Sequence, residues 1–368
     1  MKLPLYLYCL ICVALVLMLT NCGVPGIPRP PSLDLPQPVS DLRAVRKGNQ
    51  AYLTWTVPGE TTDRLRVKKL GITRICRNAD AASHDCTNAV GTVRPLQPAE
   101  EGHGKKTESS GKIPANYADQ IPNAVLSNNP AAEIFYTVSV LNQSGRSAGL
   151  SNRVAVPAAV ALPPPSDFHG AATATGIVLT WSGDSHSAES PEFRHLYRIY
   201  RREVGAKTDN IVGEVPFDTV STYSLVDHSF DWEKTYDYRA TVVQVIRVEA
   251  RAEEQFEGDN TAPVRVFAHD IFPPAVPTGL QAVSAAPGQQ PFIDLIWTPD
   301  SDADLAGYNL FRHEAGTSEQ KLNSEPVKAP AFRDNSVLPG HTYFYTASAV
   351  DVRGNESARS VEASETAH

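Results

Sequence analysis

The sequence predicts an all-β chain of antiparallel β-sandwiches in series, and three observations carry that prediction. Of the 368 residues, 29 are proline, above a background of about 5%, and proline inside a helix removes a hydrogen bond and clashes with the preceding turn. The chain also repeats itself three times. Each block opens with a proline, then a hydrophobe, then a strand bearing tryptophan: Pro38, Leu42 and Trp55; Pro165, Phe168 and Trp181; Pro277, Leu280 and Trp297. Finally, side chains around each tryptophan alternate with period two, and no segment of the body sustains the 3.6-residue period of an amphipathic helix.

Composition bounds the partners. A chain that is 42% hydrophobic and 20% charged, with net charge -8, is ordinary globular material. Nucleic acid is excluded as a partner because phosphate binding needs a basic footprint.

At the N-terminus Lys2 precedes an uncharged, mostly apolar run over residues 3–20, followed by Asn21-Cys22-Gly23. A short positive region, an apolar core and a small or polar exit form a secretory signal that takes no part in the fold. The segment resembles a bacterial lipoprotein signal. That resemblance implies removal of residues 1–21 as signal peptide, lipidation of Cys22 on its thiol and new amino group, and attachment to a membrane through that lipid. Gly23 in the second mature position resembles lipoproteins sorted to the outer membrane of diderm bacteria. Asn21 departs from the Gly, Ala or Ser usual before the cysteine. The apolar run just reaches the lower limit for spanning a bilayer, so a retained signal anchor is the alternative. Residues 22–37 are a linker, where prolines at 25, 28, 30, 31 and 36 favour an extended, semi-rigid spacer.

Three domains follow, at 38–159, 160–270 and 271–368. Alternation places Leu53 with Trp55, Leu179 with Trp181 and Leu295 with Trp297 on one face of a strand. A second strand in each block ends in arginine: Thr73-Arg74-Ile75-Cys76-Arg77, Tyr197-Arg198-Ile199-Tyr200-Arg201 and Tyr308-Asn309-Leu310-Phe311-Arg312. A third carries paired aromatics around Phe135-Tyr136, Tyr236-Asp237-Tyr238 and Tyr343-Phe344-Tyr345. Three short strands recurring in one order between Pro- and Gly-rich turns argue for sandwiches.

These residues make the chain similar to tandem fibronectin type III domains, an immunoglobulin-like fold. The opening proline and hydrophobe, the strand tryptophan, the Tyr-x-Leu-Phe-Arg strand and the segment Leu338-Pro339-Gly340-His341-Thr342-Tyr343 carry the resemblance, with Asp304-Leu305-Ala306-Gly307-Tyr308 matching many bacterial members. It implies a tyrosine corner at Tyr343, whose hydroxyl returns to the backbone upstream. The first block departs, with Ile134 at the corner position and Thr73 at the strand tyrosine, so its corner is expected to be missing. It is also longer between Arg77 and Tyr136, where residues 78–112 are polar and expected to form a long exposed excursion. The second block places its extra length at 244–260, an enlarged hairpin.

Few motifs suggest chemistry. Cys76 and Cys86 are the cysteines of the body, and a secreted chain puts them in an oxidising compartment, so they read as a disulfide. A redox or metal site is the alternative, but there is no Cys-x-x-Cys partner and His84 alone cannot complete a zinc shell. Gly145-Arg146-Ser147-Ala148-Gly149 matches a hydrolase nucleophile elbow in pattern, yet it runs into a strand, whereas the elbow needs a following helix. Asp300, Asp302 and Asp304 have the spacing of a calcium loop's start, but the loop fails at Leu305 and Phe311. Asn142 and Asn355 head glycosylation-like triplets that read as turns. Arg353-Gly354-Asn355 lies where integrin-binding relatives carry Arg-Gly-Asp but lacks the carboxylate. Arg74, Arg77, Arg198, Arg201 and Arg202 suggest either a basic strip or arginines covering exposed sheet, with Tyr200, Trp232 and Phe311 as possible aromatic contacts.

No convergent acid, base and nucleophile set is visible, and no cofactor or metal is assigned. The expected function is non-catalytic: a cell-envelope lipoprotein acting as interaction, spacer or scaffold module toward envelope proteins. The alternative is a glycan- or polymer-binding adhesin, or an accessory module of a carbohydrate-active system. An exposed aromatic row would favour that alternative, and buried tyrosines would count against it.

Overall fold

The computed structural model describes residues 33–80, 82–83, 85–87, 89–95, 113–183, 192–249 and 252–368. The leader and Cys22 lie outside them. The chain divides into two compact units: one from the residues up to Val45 with Gln50–Val125 and Ala132–Ala158, the other from Arg46–Asn49, Leu126–Ala131 and Ala159–His368.

The first block contains β1 (Arg43–Lys47), β2 (Gln50–Thr56), β3 (Leu70–Asn78), β4 (Ala89–Val93), β5 (Pro114–Gln120), β6 (Glu133–Asn142) and β7 (Val154–Pro157). Its sheets run β1-β2-β5 and β4-β3-β6-β7. In the second block are β8 (Ser166–Thr173), β9 (Gly176–Ser182), β10 (Phe193–Glu203), β11 (Asn210–Pro216), β12 (Thr222–Asp227), β13 (Thr235–Ile246), β14 (Glu254–Asn260) and β15 (Val264–Phe267). Here the sheets are β8-β9-β12 and β11-β10-β13, with β14 and β15 both pairing β13. The third has β16 (Gln281–Ser284), β17 (Ile293–Ile296), β18 (Leu305–Glu314), β19 (Gln320–Lys321), β20 (Ala331–Asp334), β21 (Thr342–Asp351) and β22 (Ala363–Thr366), in sheets β16-β17-β20 and β19-β18-β21-β22. A three-stranded sheet facing a larger one recurs in every block, the larger having four strands in the first and third and five in the second.

Period-two alternation builds the cores. Along β2, Ala51, Leu53 and Trp55 are buried while Gln50, Tyr52 and Thr54 are exposed. Leu179 with Trp181, and Leu295 with Trp297, are buried in the same manner. Trp181 lies edge-on to Tyr197 and parallel to Tyr223, with ring centroids 5.4 and 6.0 Å away. The indole N–H groups of Trp55, Trp181 and Trp297 are all buried without a hydrogen-bond partner. An unpaired donor costs about 1–3 kcal/mol. Burying such a ring removes about 150–250 Å² from water, worth about 4–6 kcal/mol, so apolar packing outweighs the penalty.

Two expectations about loops are refined. Residues 78–112 are not one continuous excursion, because β4 returns to pair with β3; residues 96–112 lie outside the described set. The enlarged hairpin of the second block is a ladder, with β14 paired to β13 from Thr241–Asn260 out to Ile246–Glu254. In the third block the Asp304-to-Tyr308 segment is a β-bulge: the register shifts between Leu305 and Gly307. Gly307 has φ of 151°, and a Cβ there would meet the Val327 carbonyl oxygen at 2.7 Å, so a side chain is excluded at that position.

Candidate functional site

Each block places one arginine, one aspartate and one tyrosine together. Arg77 on β3 donates from Nη1 to Asp119 Oδ2 on β5 at 2.6 Å, and Tyr136 on β6 donates to the same oxygen at 2.7 Å. Arg201, Asp227 and Tyr238 repeat this at 2.7 and 2.9 Å, and Arg312, Asp334 and Tyr345 at 2.7 and 3.0 Å. The arginine and tyrosine stand on the larger sheet and the aspartate on the three-stranded one, so the group ties the two layers. Burial, then the hydrogen bond and charge of the aspartate, pushes Tyr136 and Tyr238 far above the usual phenol range, and burial with the Asp334 charge does so for Tyr345. Burial alone would raise Asp227 and Asp334. Both are nevertheless held below the usual carboxylate value, by the serine two residues on and then by Tyr238 and Arg201 for Asp227 and by Arg312 for Asp334.

The strand arginines therefore form neither one basic strip nor one exposed cover, because they point to two faces. Parity puts Arg77 with Ile75, Arg201 with Ile199 and Arg312 with Leu310 on the inward side of their strands, where each arginine reaches the buried aspartate. Arg74, Arg198 and Arg202 have the opposite parity. Arg198 pairs with Glu214 and Glu257 at 2.7 Å each. Tyr200 donates to Glu257, and burial with that bond pushes its hydroxyl up to about 12. Phe311 is buried beneath the Arg359 guanidinium. Trp232 packs on Phe230 and Phe272 at 4.7 and 6.0 Å between centroids. None of the three aromatics is an exposed contact.

The corner tyrosines fall as the resemblance implied. The Leu338 N–H donates to the Tyr343 hydroxyl at 3.0 Å, and the Asp231 N–H to the Tyr236 hydroxyl at 3.0 Å. Ile134 is buried in the first block and offers no hydroxyl; the amide five residues earlier, Asn129, donates to Ser127 Oγ instead. A three-stranded sheet against a larger one in each block, with corner tyrosines at Tyr236 and Tyr343 in the second and third, decides the architecture. These are fibronectin type III-like sandwiches.

The other singled-out residues have structural places. Cys76 and Cys86 form a disulfide between Cα atoms 5.2 Å apart, tying the end of β3 to the segment leading to β4. The Ser147 hydroxyl shares hydrogen bonds with Ser139 Oγ and the Gly149 carbonyl, both at 2.9 Å. Asn142 caps its turn by accepting from the Arg146 N–H and from Ser144 Oγ, each at 2.9 Å. Asp300, Asp302 and Asp304 do not converge: Asp300 accepts from the Asp302 N–H, Asp302 from the Ala275 N–H, and Asp304 turns to a different cluster.

That cluster was not foreseen from the sequence. Asp270, Asp304 and Asp351 each present an oxygen, all within 4.8 Å of one another. Arg353 Nη1 lies 3.0 Å from Asp270 Oδ2 and 3.3 Å from Asp304 Oδ2. Burial, then the charges of Asp270 and Asp351, raises Asp304 above the usual carboxylate value. Asn355, read as a turn residue, donates from Nδ2 to Asp351 Oδ2 at 2.7 Å and to the Asp270 carbonyl at 3.1 Å.

No family model matches the chain. A stretch of 94 residues is 36% identical to an amylopullulanase of Thermoanaerobacterium saccharolyticum, spanning 25% of this chain and 7% of that enzyme. Among solved structures, the FN1-FN3 domains of chicken CNTN1 are similar over 90% of this chain and 99% of theirs, at 15% identity and a TM-score of 0.27. An Fn3-like protein from Clostridium thermocellum is 30% identical over 25% of this chain and 92% of its own, with a TM-score of 0.22.

Proposed function

We propose that the chain is a non-catalytic bacterial cell-envelope lipoprotein, anchored through Cys22, that acts as a spacer, scaffold or protein-interaction module. The observation supporting this reading is the use to which reactive groups are put. Cys76, Cys86 and Ser147, with Arg77, Arg201 and Arg312 and their aspartates, are engaged in intramolecular bonds that fasten β-sandwiches. Sandwiches built this way leave their loops for partners. Labelled palmitate supplied to producing cells is expected to enter the wild-type chain and to be lost in Cys22→Ser; incorporation that survives the substitution rejects the anchor. Passing envelope extract over the folded chain tests the partner class, and retained envelope proteins are the expected result.

A second reading, an accessory module of a carbohydrate-active system, is favoured by the module-sized match to an amylopullulanase. Against it, eight tyrosines are buried, and among the described residues Tyr52 is the exposed one. Mobility retarded in polysaccharide-containing native gels would move the assignment to this reading.

A further inference from the structure

The Arg353 cluster joins elements that belong to two different sandwiches within one compact unit. From the third come Asp304, just before β18, and the turn after β21. Asp351 Oδ1 accepts the N–H groups of Arg353 and Asn355 at 2.8 Å each, which fixes that turn around Gly354 at φ 91°. From the second come Glu233, in the turn before β13, and His269 with Asp270, following β15. Asp270 is 5% exposed, and its position is set from its own side: its N–H donates to Glu233 Oε1 at 3.1 Å and its Oδ1 accepts from the Phe272 N–H at 3.2 Å. His269 Nδ1 faces the same Glu233 carboxylate at 3.1 Å.

The Arg353 guanidinium thus faces three carboxylates, Asp270, Asp304 and Glu233 with Oε1 3.7 Å from its Nε, while its backbone N–H donates to a fourth, Asp351. A guanidinium is planar and permanently charged, and its fork can serve several oxygens at once. It supplies the positive charge without which these carboxylates would repel one another. The connecting residues are fastened too. The Ala275 N–H donates to Asp302 Oδ2 at 3.0 Å, and Phe272 packs against Trp232.

We propose that Arg353 closes an ionic latch that holds the third sandwich to the tail of the second, with residues 271–276 as its strap. Contacts between sandwiches along one chain are usually small, and relative motion is the default. A charge-matched latch removes that freedom at one joint and would hold whatever the two sandwiches carry at a fixed angle.

Hydrogen exchange of the full chain tests it, since local opening is read amide by amide. In Arg353→Gln, the amides of Phe272 and Ala275 are expected to exchange about tenfold faster, a loss of roughly 1.4 kcal/mol of protection, while β18 and β21 keep wild-type protection. Arg359→Gln, which removes two ion pairs and the cover over Phe311 in the same sandwich away from the cluster, should leave the strap unchanged. Equal strap exchange in Arg353→Gln and wild type overturns the latch. So does acceleration that spreads equally into β18 and β21, or one that Arg359→Gln reproduces, because the residue would then support the sandwich rather than the joint.

Discussion

In the third sandwich Asp334 receives four donors: Arg312 and Tyr345 on Oδ2, and the N–H and hydroxyl of Ser336 on Oδ1 at 2.9 and 2.7 Å. In the first, Asp119 receives Arg77 and Tyr136 on Oδ2, and Ile121 stands where a serine would supply the other two. The first sandwich also lacks the corner tyrosine, yet it alone holds a disulfide, at the end of the strand that carries Arg77. One layer-to-layer tie has been retained while its surroundings were exchanged: polar donors in the third, a covalent bond in the first. The tie is thus the common requirement, and its reinforcement is interchangeable.

Removing the tie itself should destabilise a sandwich most. Asp334→Ala strands a guanidinium, a phenol and two serine donors, and breaking a buried pair in this way costs about 3–5 kcal/mol. Asp119→Ala strands two groups fewer and should cost less, by about 1 kcal/mol for each bond not lost. Urea unfolding with exchange read separately in β18 and β3 gives both values, and equal losses would end the comparison. The Asp334 effect should also shrink on going from pH 7 to pH 3. Its carboxyl is held below its ordinary value, so the stability it adds is present above the unfolded value and is lost as pH falls through the folded one.

Next in size is the disulfide. Cys86→Ser opens a ring of sequence separation 10, and the loop-closure model assigns this about 3 kcal/mol. The loss should appear in β3 and β6 and leave β18 and β21 untouched; a loss shared by both would show that the reinforcement is not local. Smallest is the corner. Tyr343→Phe leaves the Leu338 N–H without its acceptor and should cost about 1 kcal/mol, measured by the same exchange series. A loss near zero would mean that the corner adds no more to the third sandwich than Ile134 adds to the first.

Much of this was legible in the sequence. Tryptophan strands, arginine-ended strands and aromatic strands were placed by repetition, and the missing corner followed from Ile134. Parity along the arginine strands already contained the answer to the basic strip, because Arg77, Arg201 and Arg312 each lie two residues from a core aliphatic. The aspartate partner was half visible: Asp227-His228-Ser229 and Asp334-Asn335-Ser336 share a pattern that Asp119-Gln120-Ile121 breaks. Nothing local marks the Arg353 cluster. Asp270 and Arg353 are 83 residues apart, neither has a counterpart that repeats, and only the packing of one sandwich on another brings them together.

The layer tie also bears on how each sandwich reaches its native state. Forming it closes a loop between arginine and aspartate of 42 residues in the first sandwich, 26 in the second and 22 in the third. Each doubling of a flexible loop adds about 0.6 kcal/mol of closure entropy, and that cost falls before the contact repays it. The first sandwich therefore carries the largest closure cost of the three, and a bond between Cys76 and Cys86 shortens the chain that has to be closed.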